Sequence, residues 1–210
     1  MQVAIAEARR GLGLTAPNPA VGAVIVRNGR VVARGHHACA GGPHAEIAAL
    51  AALRCPADAF GATLYVTLEP CSTVGRTGAC TDAIVHAGFG RVVYGAGDPN
   101  PRHAGRARGI LRRAGIRVES GVSAGECAAL NTAWNKWVAT GLPYVTLKVA
   151  MSSDGYITAP VPRRWVTSAA ARRDAMRLRA GCDAVRAGAW RESPAACAQR
   201  RTSERETSTP

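Results

Sequence analysis

The sequence has few lysines, few aromatic residues and no long apolar run. Two lysines stand beside 25 arginines, and aromatic residues make up 5% of the chain. No apolar stretch approaches the roughly 20 residues that a membrane-spanning helix needs. The amphipathic segment 1–14 also lacks the apolar centre of a signal peptide. We therefore expect a globular, cytoplasmic protein that does not act in a membrane.

The basic charge has two interpretations. A net charge of +13 would attract nucleic acid or a phosphorylated metabolite. The arginines are scattered, however, and few aromatic side chains are present to stack on bases. We therefore interpret most arginines as solvated surface residues and expect a small-molecule substrate rather than nucleic acid. A homo-oligomer remains compatible with the sequence.

Seven cysteines, an odd number at irregular spacing, do not form the pattern of a secreted disulfide framework. Three of them, Cys39, Cys55 and Cys127, lie in alanine-rich surroundings. We expect these three to be small buried or half-buried thiols.

The apolar periodicity predicts alternating helices and strands over residues 2–140. Expected helices are 2–12, 44–53, 81–87, 104–114 and 123–140, and expected strands are 20–26, 30–34, 63–68, 91–94 and 116–119. Asn28 and Gly29 predict a two-residue hairpin turn. Ser123 and Glu126 predict a capping box for the last helix, and Gly141 predicts its end. The alternation with short loops is typical of a layered α/β domain.

A change in sequence character after Pro143 predicts a second domain. Residues 144–150 read as a new apolar strand, and residues 166–180 as a helix with Thr167 or Ser168 as its N-cap. No periodicity follows Val185, so disorder is expected over 186–210. The expected units are therefore 1–142, 143–185 and 186–210.

His44, Cys71 and Cys80 have the side chains of a zinc site. One imidazole and two thiolates leave the fourth position of a tetrahedral zinc open, which is typical of catalytic rather than structural sites. Zinc lowers the pKa of bound water from about 15.7 to roughly 7, and Glu46 is placed to move protons. A helix or turn is expected to begin at Pro70 and Cys71, after the strand 63–68, and thiols at a helix N-terminus ionise more easily, which suits metal ligation.

Several ordered blocks accompany these residues: APNPAVGAV (16–24), PHAE (43–46), YVTLEPCS (65–72), GRT (75–77), CTDAI (80–84) and DPNP (98–101). Together they resemble the bifunctional riboflavin-biosynthesis deaminase/reductase family over about residues 1–185. The long spacing between Cys71 and Cys80 sets the chain apart from cytidine and tRNA-adenosine deaminases. The resemblance implies a three-layer α/β/α, cytidine-deaminase-like domain with a mixed sheet, followed by a truncated α/β reductase fragment.

This resemblance implies a reaction and its catalytic residues. The 2-amino group of 2,5-diamino-6-(5-phosphoribosylamino)pyrimidin-4(3H)-one would be removed by hydrolysis, giving 5-amino-6-(5-phosphoribosylamino)uracil and ammonia. His44, Cys71 and Cys80 would hold one zinc ion. Glu46 would take a proton from water and pass it to the ring nitrogen and the departing amine.

The resemblance also implies five substrate contacts. Asn18 would meet the pyrimidine edge, Arg76 the phosphate, and Asp98 and Asn100 the ribose. His37 is a further candidate, although a surface histidine is the plainer interpretation. Plain turns remain alternatives for Asn18 and for the Asp-Pro-Asn-Pro segment.

Two departures from the family pattern affect the expectations. Thr73 and Val74 stand where relatives commonly carry histidine or aromatic residues, which affects substrate affinity rather than zinc binding.

In the partial reductase segment, Ala150 and Trp165 are the positions implied to contact NADPH. The resemblance is expected to stop after Val185, as a shifted reading frame would produce. We therefore expect the deaminase reaction without the reductase reaction.

Three other functions remain open from the sequence. Another zinc nucleoside or tRNA deaminase would use the same centre. A catalytically silent zinc module would keep the ligands without turnover. A structural zinc or nucleic-acid-binding protein would need a fourth ligand, for which His36, His37 and Cys39 are the candidates.

Overall fold

The computed structural model describes residues 1–73, 78–101, 103–157 and 165–185. Its helices are Gln2–Arg9 (α1), Ala45–Ala51 (α2), Cys80–His86 (α3), Arg106–Arg113 (α4), Ala124–Ala129 (α5), Thr132–Thr140 (α6) and Ala169–Ala180 (α7). A short 3-10 helix covers Pro56–Ala59. The strands are Gly22–Arg27 (β1), Arg30–His36 (β2), Thr63–Leu68 (β3), Arg91–Ala96 (β4) and Arg117–Ser120 (β5). Within these ranges no helix has the length and apolarity to cross a bilayer.

The five strands form one mixed sheet in the order β2-β1-β3-β4-β5. Strand β1 runs antiparallel to both neighbours, whereas β3, β4 and β5 are parallel. The predicted hairpin is confirmed, because Asn28 and Gly29 both adopt the positive φ angles, 50° and 74°, that a tight β1–β2 turn requires. The carboxyl ends of β3 and β4 meet at one edge of the sheet, where polar loops can converge.

Strand glycines mark where the helices approach the sheet. The backbone of α1 leaves no room for a Cβ at Gly22, and the backbone of α2 leaves none at Gly35. Gly22 pairs with His36, the neighbour of Gly35, so these two glycines lie on opposite faces. Helix α5 joins the α1 face, where Gln2 Nε2 donates to Glu126 Oε1 at 2.9 Å. The predicted three-layer α/β/α architecture with a mixed sheet is confirmed.

The larger core lies between the sheet and helices α2, α3 and α4. It is built from small and branched apolar side chains, which include Ala45, Ala49, Leu64, Ile84, Val92 and Leu111. Burial of this surface is the main stabilisation of the domain, at roughly 25 cal/mol per Å² of apolar area. The core fixes the N-terminal ends of α2 and α3 beside the carboxyl edge of β3.

The cysteines in the described ranges are unpaired thiols. Cys127 is buried against Gly95, as expected. Cys39 and Cys55 are exposed instead, because both lie in loops outside the helical layers. The expectation of burial was therefore wrong for these two.

The helix expected over 123–140 is interrupted at Asn131. The Asn131 carboxamide accepts from Ala20 N at 2.7 Å and donates to Ala20 O at 2.9 Å, which takes its backbone out of the helical region. The predicted capping box is also wrong, because Ser123 adopts φ 55° and its side chain makes no cap hydrogen bond. Helix α6 ends before Gly141 at φ 70°, as expected.

The strand expected over 144–150 is not formed. Val145 and Leu147 are 78% and 86% exposed, and no strand in the described part of the chain pairs with this segment. An isolated apolar strand has no partner for its backbone hydrogen bonds, so the local apolar pattern alone does not form a strand.

Helix α7 is present, and Ser168 is its N-cap, accepting from Ala171 N at 3.2 Å. The disorder expected over 186–210 concerns residues outside the described ones.

Candidate metal centre and active site

The N-terminal ends of two helices and the end of one strand bring the candidate zinc ligands together. His44 is the extended residue before α2, and Glu46 lies in the first turn of that helix. Cys71 follows β3, and Cys80 is the first residue of α3. No helix begins at Cys71 in the described residues, and the helix expected over 81–87 begins at Cys80. Cys71 approaches its start by accepting hydrogen bonds from Cys80 N, at Sγ and 3.2 Å, and from Thr81 N, at the carbonyl oxygen and 3.1 Å.

The three donor atoms have the spacing of a zinc site. One ligand atom from each of His44, Cys71 and Cys80 lies within 4.8 Å of the others. His44 Nδ1 is 3.2 Å from Cys80 Sγ and 3.5 Å from Cys71 Sγ. Tetrahedral zinc with ordinary bond lengths places nitrogen and sulfur ligands about 3.5 Å apart. The residues therefore fit zinc, with His44 Nδ1 as the coordinating nitrogen.

None of the three candidates for a fourth ligand reaches the donor group. His36 Nδ1 lies 3.5 Å from the Glu7 carboxylate, and both ring nitrogens of His37 have other partners. Cys39 is exposed in the loop that precedes His44. Within the described ranges the donor group has three members, so one position of a tetrahedral metal remains for a non-protein ligand.

Hydrogen bonding among the ligands shifts their protonation. The Cys80 thiol lowers the pKa of Cys71 to about 4, and the same hydrogen bond raises the pKa of Cys80. The hydrogen bond with Cys71 is also the main cause of the raised pKa of His44. These shifts favour the thiolate form of Cys71, which is the form that binds a metal cation.

Glu46 is buried beside this centre, with 3% of its surface exposed. Burial raises the pKa of its carboxyl to about 7, because the charged form loses its hydration. A carboxyl that titrates near neutral pH can accept a proton and return it without a large free-energy penalty. The arrangement can therefore move protons next to the open metal position.

Asn18 and His37 come together beside His44. His37 Nδ1 lies 2.9 Å from Pro43 O, and Nε2 lies 3.1 Å from Asn18 Nδ2. Because a carbonyl only accepts, Nδ1 carries the proton and Nε2 accepts from the Asn18 amide. The His37 ring meets the His44 ring edge-on at 5.6 Å between centroids. His37 is 3% exposed, so its interpretation as a surface histidine was wrong.

Asp98 and Asn100 lie in the loop between β4 and α4. Asp98 Oδ1 accepts from Asn100 N at 2.8 Å, the hydrogen bond of an Asx turn. Burial raises the pKa of the Asp98 carboxyl. Both residues are partly exposed on the metal-centre side of the sheet edge. Their contact with substrate stays a prediction. Arg76, the expected phosphate ligand, lies outside the described residues, as does Val74.

The sequence did not single out Glu69 or His103. Glu69 is 5% exposed, and its carboxylate accepts hydrogen bonds from the β4–α4 loop. A carboxylate at the end of an apolar strand was the available signal, since a buried charge needs partners. His103 Nδ1 lies 3.3 Å from Thr73 Oγ1 and brings an imidazole beside one of the two positions that depart from the family pattern. No pattern in the sequence predicts the contact between His103 and Thr73.

The two residues expected to contact NADPH, Ala150 and Trp165, belong to no sheet in the described part of the chain. Ala150 is half-buried in the segment that forms no strand. Trp165 is exposed, and the Arg172 guanidinium lies over its ring at 4.8 Å from the centroid. Their role in cofactor binding remains an untested prediction.

Comparison with known proteins connects this geometry to a family. Residues 1–96, which hold the three donors and Glu46, match the cytidine and deoxycytidylate deaminase zinc-binding region, and residues 143–206 match the RibD C-terminal domain. Riboflavin biosynthesis protein RibD of Actinobacillus pleuropneumoniae is 46% identical over 189 residues, covering 90% of this chain and 50% of that protein. RibD of Escherichia coli (strain K12) is 47% identical over 186 residues, covering 88% and 50%. The chain belongs to the RibD family.

Solved RibD structures have the same architecture. Acinetobacter baumannii RibD, form 1, superposes with a TM-score of 0.79 at 47% identity, covering 85% of this chain and 50% of that one. The Thermotoga maritima diaminohydroxyphosphoribosylaminopyrimidine deaminase/5-amino-6-(5-phosphoribosylamino)uracil reductase gives 0.79 at 41% identity, covering 85% and 51%. The chain thus spans about half the length of these RibD proteins. The C-terminal match extends to residue 206, so the resemblance continues past Val185, contrary to expectation.

Proposed function

We propose that this RibD-family chain deaminates 2,5-diamino-6-(5-phosphoribosylamino)pyrimidin-4(3H)-one to 5-amino-6-(5-phosphoribosylamino)uracil and ammonia, a step of riboflavin biosynthesis. The observation that carries this proposal is the three-donor group of His44, Cys71 and Cys80 beside the buried carboxyl of Glu46. A structural zinc site would be closed by a fourth protein ligand. The long segment between the cysteines and the RibD relationship favour the phosphoribosylated pyrimidine over other amino-substituted rings.

The reaction needs a nucleophile and two proton transfers. His44, Cys71 and Cys80 would hold zinc, which would supply hydroxide near neutral pH. Glu46 takes one proton from water as the oxygen bonds to C2, and it delivers that proton to the adjacent ring nitrogen. It then transfers the remaining proton of the former water to the amine, and the C2–N bond breaks to release ammonia. Glu46 ends in its starting state, and C2 carries a carbonyl oxygen.

The remaining site residues would orient the substrate. Asn18, held by His37, offers its carbonyl oxygen to a ring N–H or amino group at the pyrimidine edge. Asp98 and Asn100 would meet the ribose hydroxyl groups, and Arg76 would pair with the phosphate. In this proposal the reacting carbon would lie near Glu46 and the phosphate near Arg76.

The direct test is ammonia release by the purified, zinc-loaded chain. We expect turnover of the diaminopyrimidine phosphate, with kcat/KM about 10- to 100-fold lower for the dephosphorylated compound, because it lacks charge-assisted hydrogen bonds to the phosphate. Cytidine and an adenosine-containing tRNA serve as competing substrates. Faster turnover of either would identify a different deaminase. Stoichiometric zinc without turnover of any substrate would indicate a silent zinc module.

We further propose that these 210 residues do not carry out the reduction that the Thermotoga maritima relative is named for. In the described residues after Pro143 there is one helix and no strand, whereas an α/β nucleotide site is built on a sheet. We expect no product-dependent loss of NADPH absorbance from a preparation that releases ammonia normally. Oxidation of one NADPH per uracil product consumed would contradict this expectation.

The thiol chemistry of the metal ligands also indicates the kind of cellular compartment in which the chain acts. Cys71 and Cys80 must remain reduced to bind zinc, and a reducing compartment maintains free thiols. This requirement supports the cytoplasm as the site of action.

A further inference from the structure

Glu69 sits where the metal centre and the β4–α4 loop meet. It directly follows β3, and its backbone N–H donates to Ala96 O at 2.8 Å, which extends the pairing of β3 with β4. Cys71 comes two residues later on the same turn. The Glu69 side chain is therefore anchored on a buried strand end whose continuation carries a metal ligand.

The Glu69 carboxylate binds both ends of the β4–α4 loop. Oε2 accepts from Asp98 N at 3.4 Å and from Gly105 N at 3.0 Å, and Oε1 accepts from Ala107 N at 3.2 Å. Asp98 stands at the beginning of the loop, whereas Gly105 and Ala107 stand at the start of α4. One side chain thus closes the loop across its base.

The start of α4 explains why this carboxylate is needed. Gly105 occupies the N-cap position at φ 75° and has no side chain with which to cap the helix. The first N–H groups of a helix require acceptors and favour a negative charge. Glu69 provides that acceptor from another element, and the position of α4 and its loop then depends on the β3 end.

We propose that Glu69 is a positioning residue that holds the β4–α4 loop, and with it Asp98 and Asn100, in register with the metal centre for binding the phosphoribosyl part of the substrate. The proposal rests on the deaminase function proposed above. Burying a carboxylate costs free energy unless it is fully hydrogen-bonded. Within the described residues, the three side-chain partners of Glu69 belong to this loop and the first turn of α4, so the interaction orders the loop rather than the apolar core.

The test is Glu69→Gln, which keeps the size of the side chain but replaces one acceptor oxygen with a donor. Wild-type zinc content is expected, with KM raised about 10- to 100-fold and kcat changed less than about threefold, because loop displacement weakens binding more than the chemistry at C2. Glu69→Asp, which keeps the charge, should recover part of the affinity. Hydrogen exchange should accelerate in residues 97–107 and stay unchanged in β3.

Thr67→Val is the matched control. It removes another buried hydrogen bond, Gly22 N to Thr67 Oγ1 at 3.1 Å, two residues earlier in the chain. We expect the Thr67→Val protein to have lower stability and an unchanged KM.

A Glu69→Gln protein with wild-type KM, or with unchanged hydrogen exchange over residues 97–107, would overturn the proposal. If the wild-type chain released no ammonia, the deaminase function and the substrate role of Glu69 would both fail, while hydrogen exchange would still decide whether Glu69 tethers the loop.

Discussion

Glu46→Gln is expected to lower kcat by about 10²- to 10⁴-fold, the range that general acid–base catalysis contributes. The glutamine amide occupies the same volume but neither takes a proton from water nor returns one. Because Glu46 is buried, bulk water and buffer have little access to replace it. The zinc content should remain at one ion per chain, since the three donor atoms come from other residues. Metal analysis and steady-state ammonia release on the same preparation measure both quantities.

Glu126→Gln provides the control for that substitution. Glu126 is exposed on α5 and accepts a hydrogen bond from Gln2. Helix α5 lies on the face of the sheet opposite the face that α2 covers. This variant should keep wild-type kcat and zinc content. A Glu46→Gln protein that retained more than about a tenth of the wild-type kcat would remove Glu46 from the role of proton carrier.

Cys80→Ala is expected to abolish both zinc binding and turnover. The substitution leaves two protein donors, and the loss of a thiolate also removes a negative charge that balances the metal. The His44 side chain loses a hydrogen-bonding partner as well, whereas the hydrogen bond from the backbone N–H of residue 80 to Cys71 Sγ is retained. Because metal binding contributes to folding free energy, the melting temperature should fall to that of the chelator-treated wild-type protein. Metal analysis, ammonia release and thermal unfolding check these three effects.

Cys55→Ser and reversible chelation complete that experiment. Cys55 is an exposed thiol outside the donor group, so its replacement should leave zinc and activity unchanged. Chelated wild-type protein should regain activity when zinc is added, whereas Cys80→Ala should not. Stoichiometric zinc in Cys80→Ala would show that another residue completes the site.

Elements governed by local pattern were predicted well. Strand β3 has the predicted bounds, and the Asn28-Gly29 turn has the predicted positive φ angles. Both depend on neighbours along the chain, namely apolar alternation and the conformations that asparagine and glycine tolerate. The candidate zinc ligands could also be predicted from the sequence, because their chemistry depends on residue type. The ordered blocks contain only three histidine or cysteine side chains beside Glu46.

Elements governed by distant contacts were not predicted. The break between α5 and α6 occurs because Asn131 binds the backbone of Ala20, 111 residues away. The apolar segment 144–150 forms no strand because a strand needs a partner, which the described part of the chain does not provide. In both places the residue pattern favoured a local structure that did not form. The presence or absence of tertiary contacts determined the structure instead.

The sequence by itself determined the α/β class, the β1–β2 hairpin, the three candidate zinc ligands and Glu46 as the candidate proton carrier. Only the tertiary structure decided that His44 presents Nδ1, that His37 is buried against Asn18, and that Glu69 holds the β4–α4 loop. The physical reason is that donor chemistry belongs to a residue type, whereas orientation, burial and hydrogen-bond partners arise where separate segments of the chain meet.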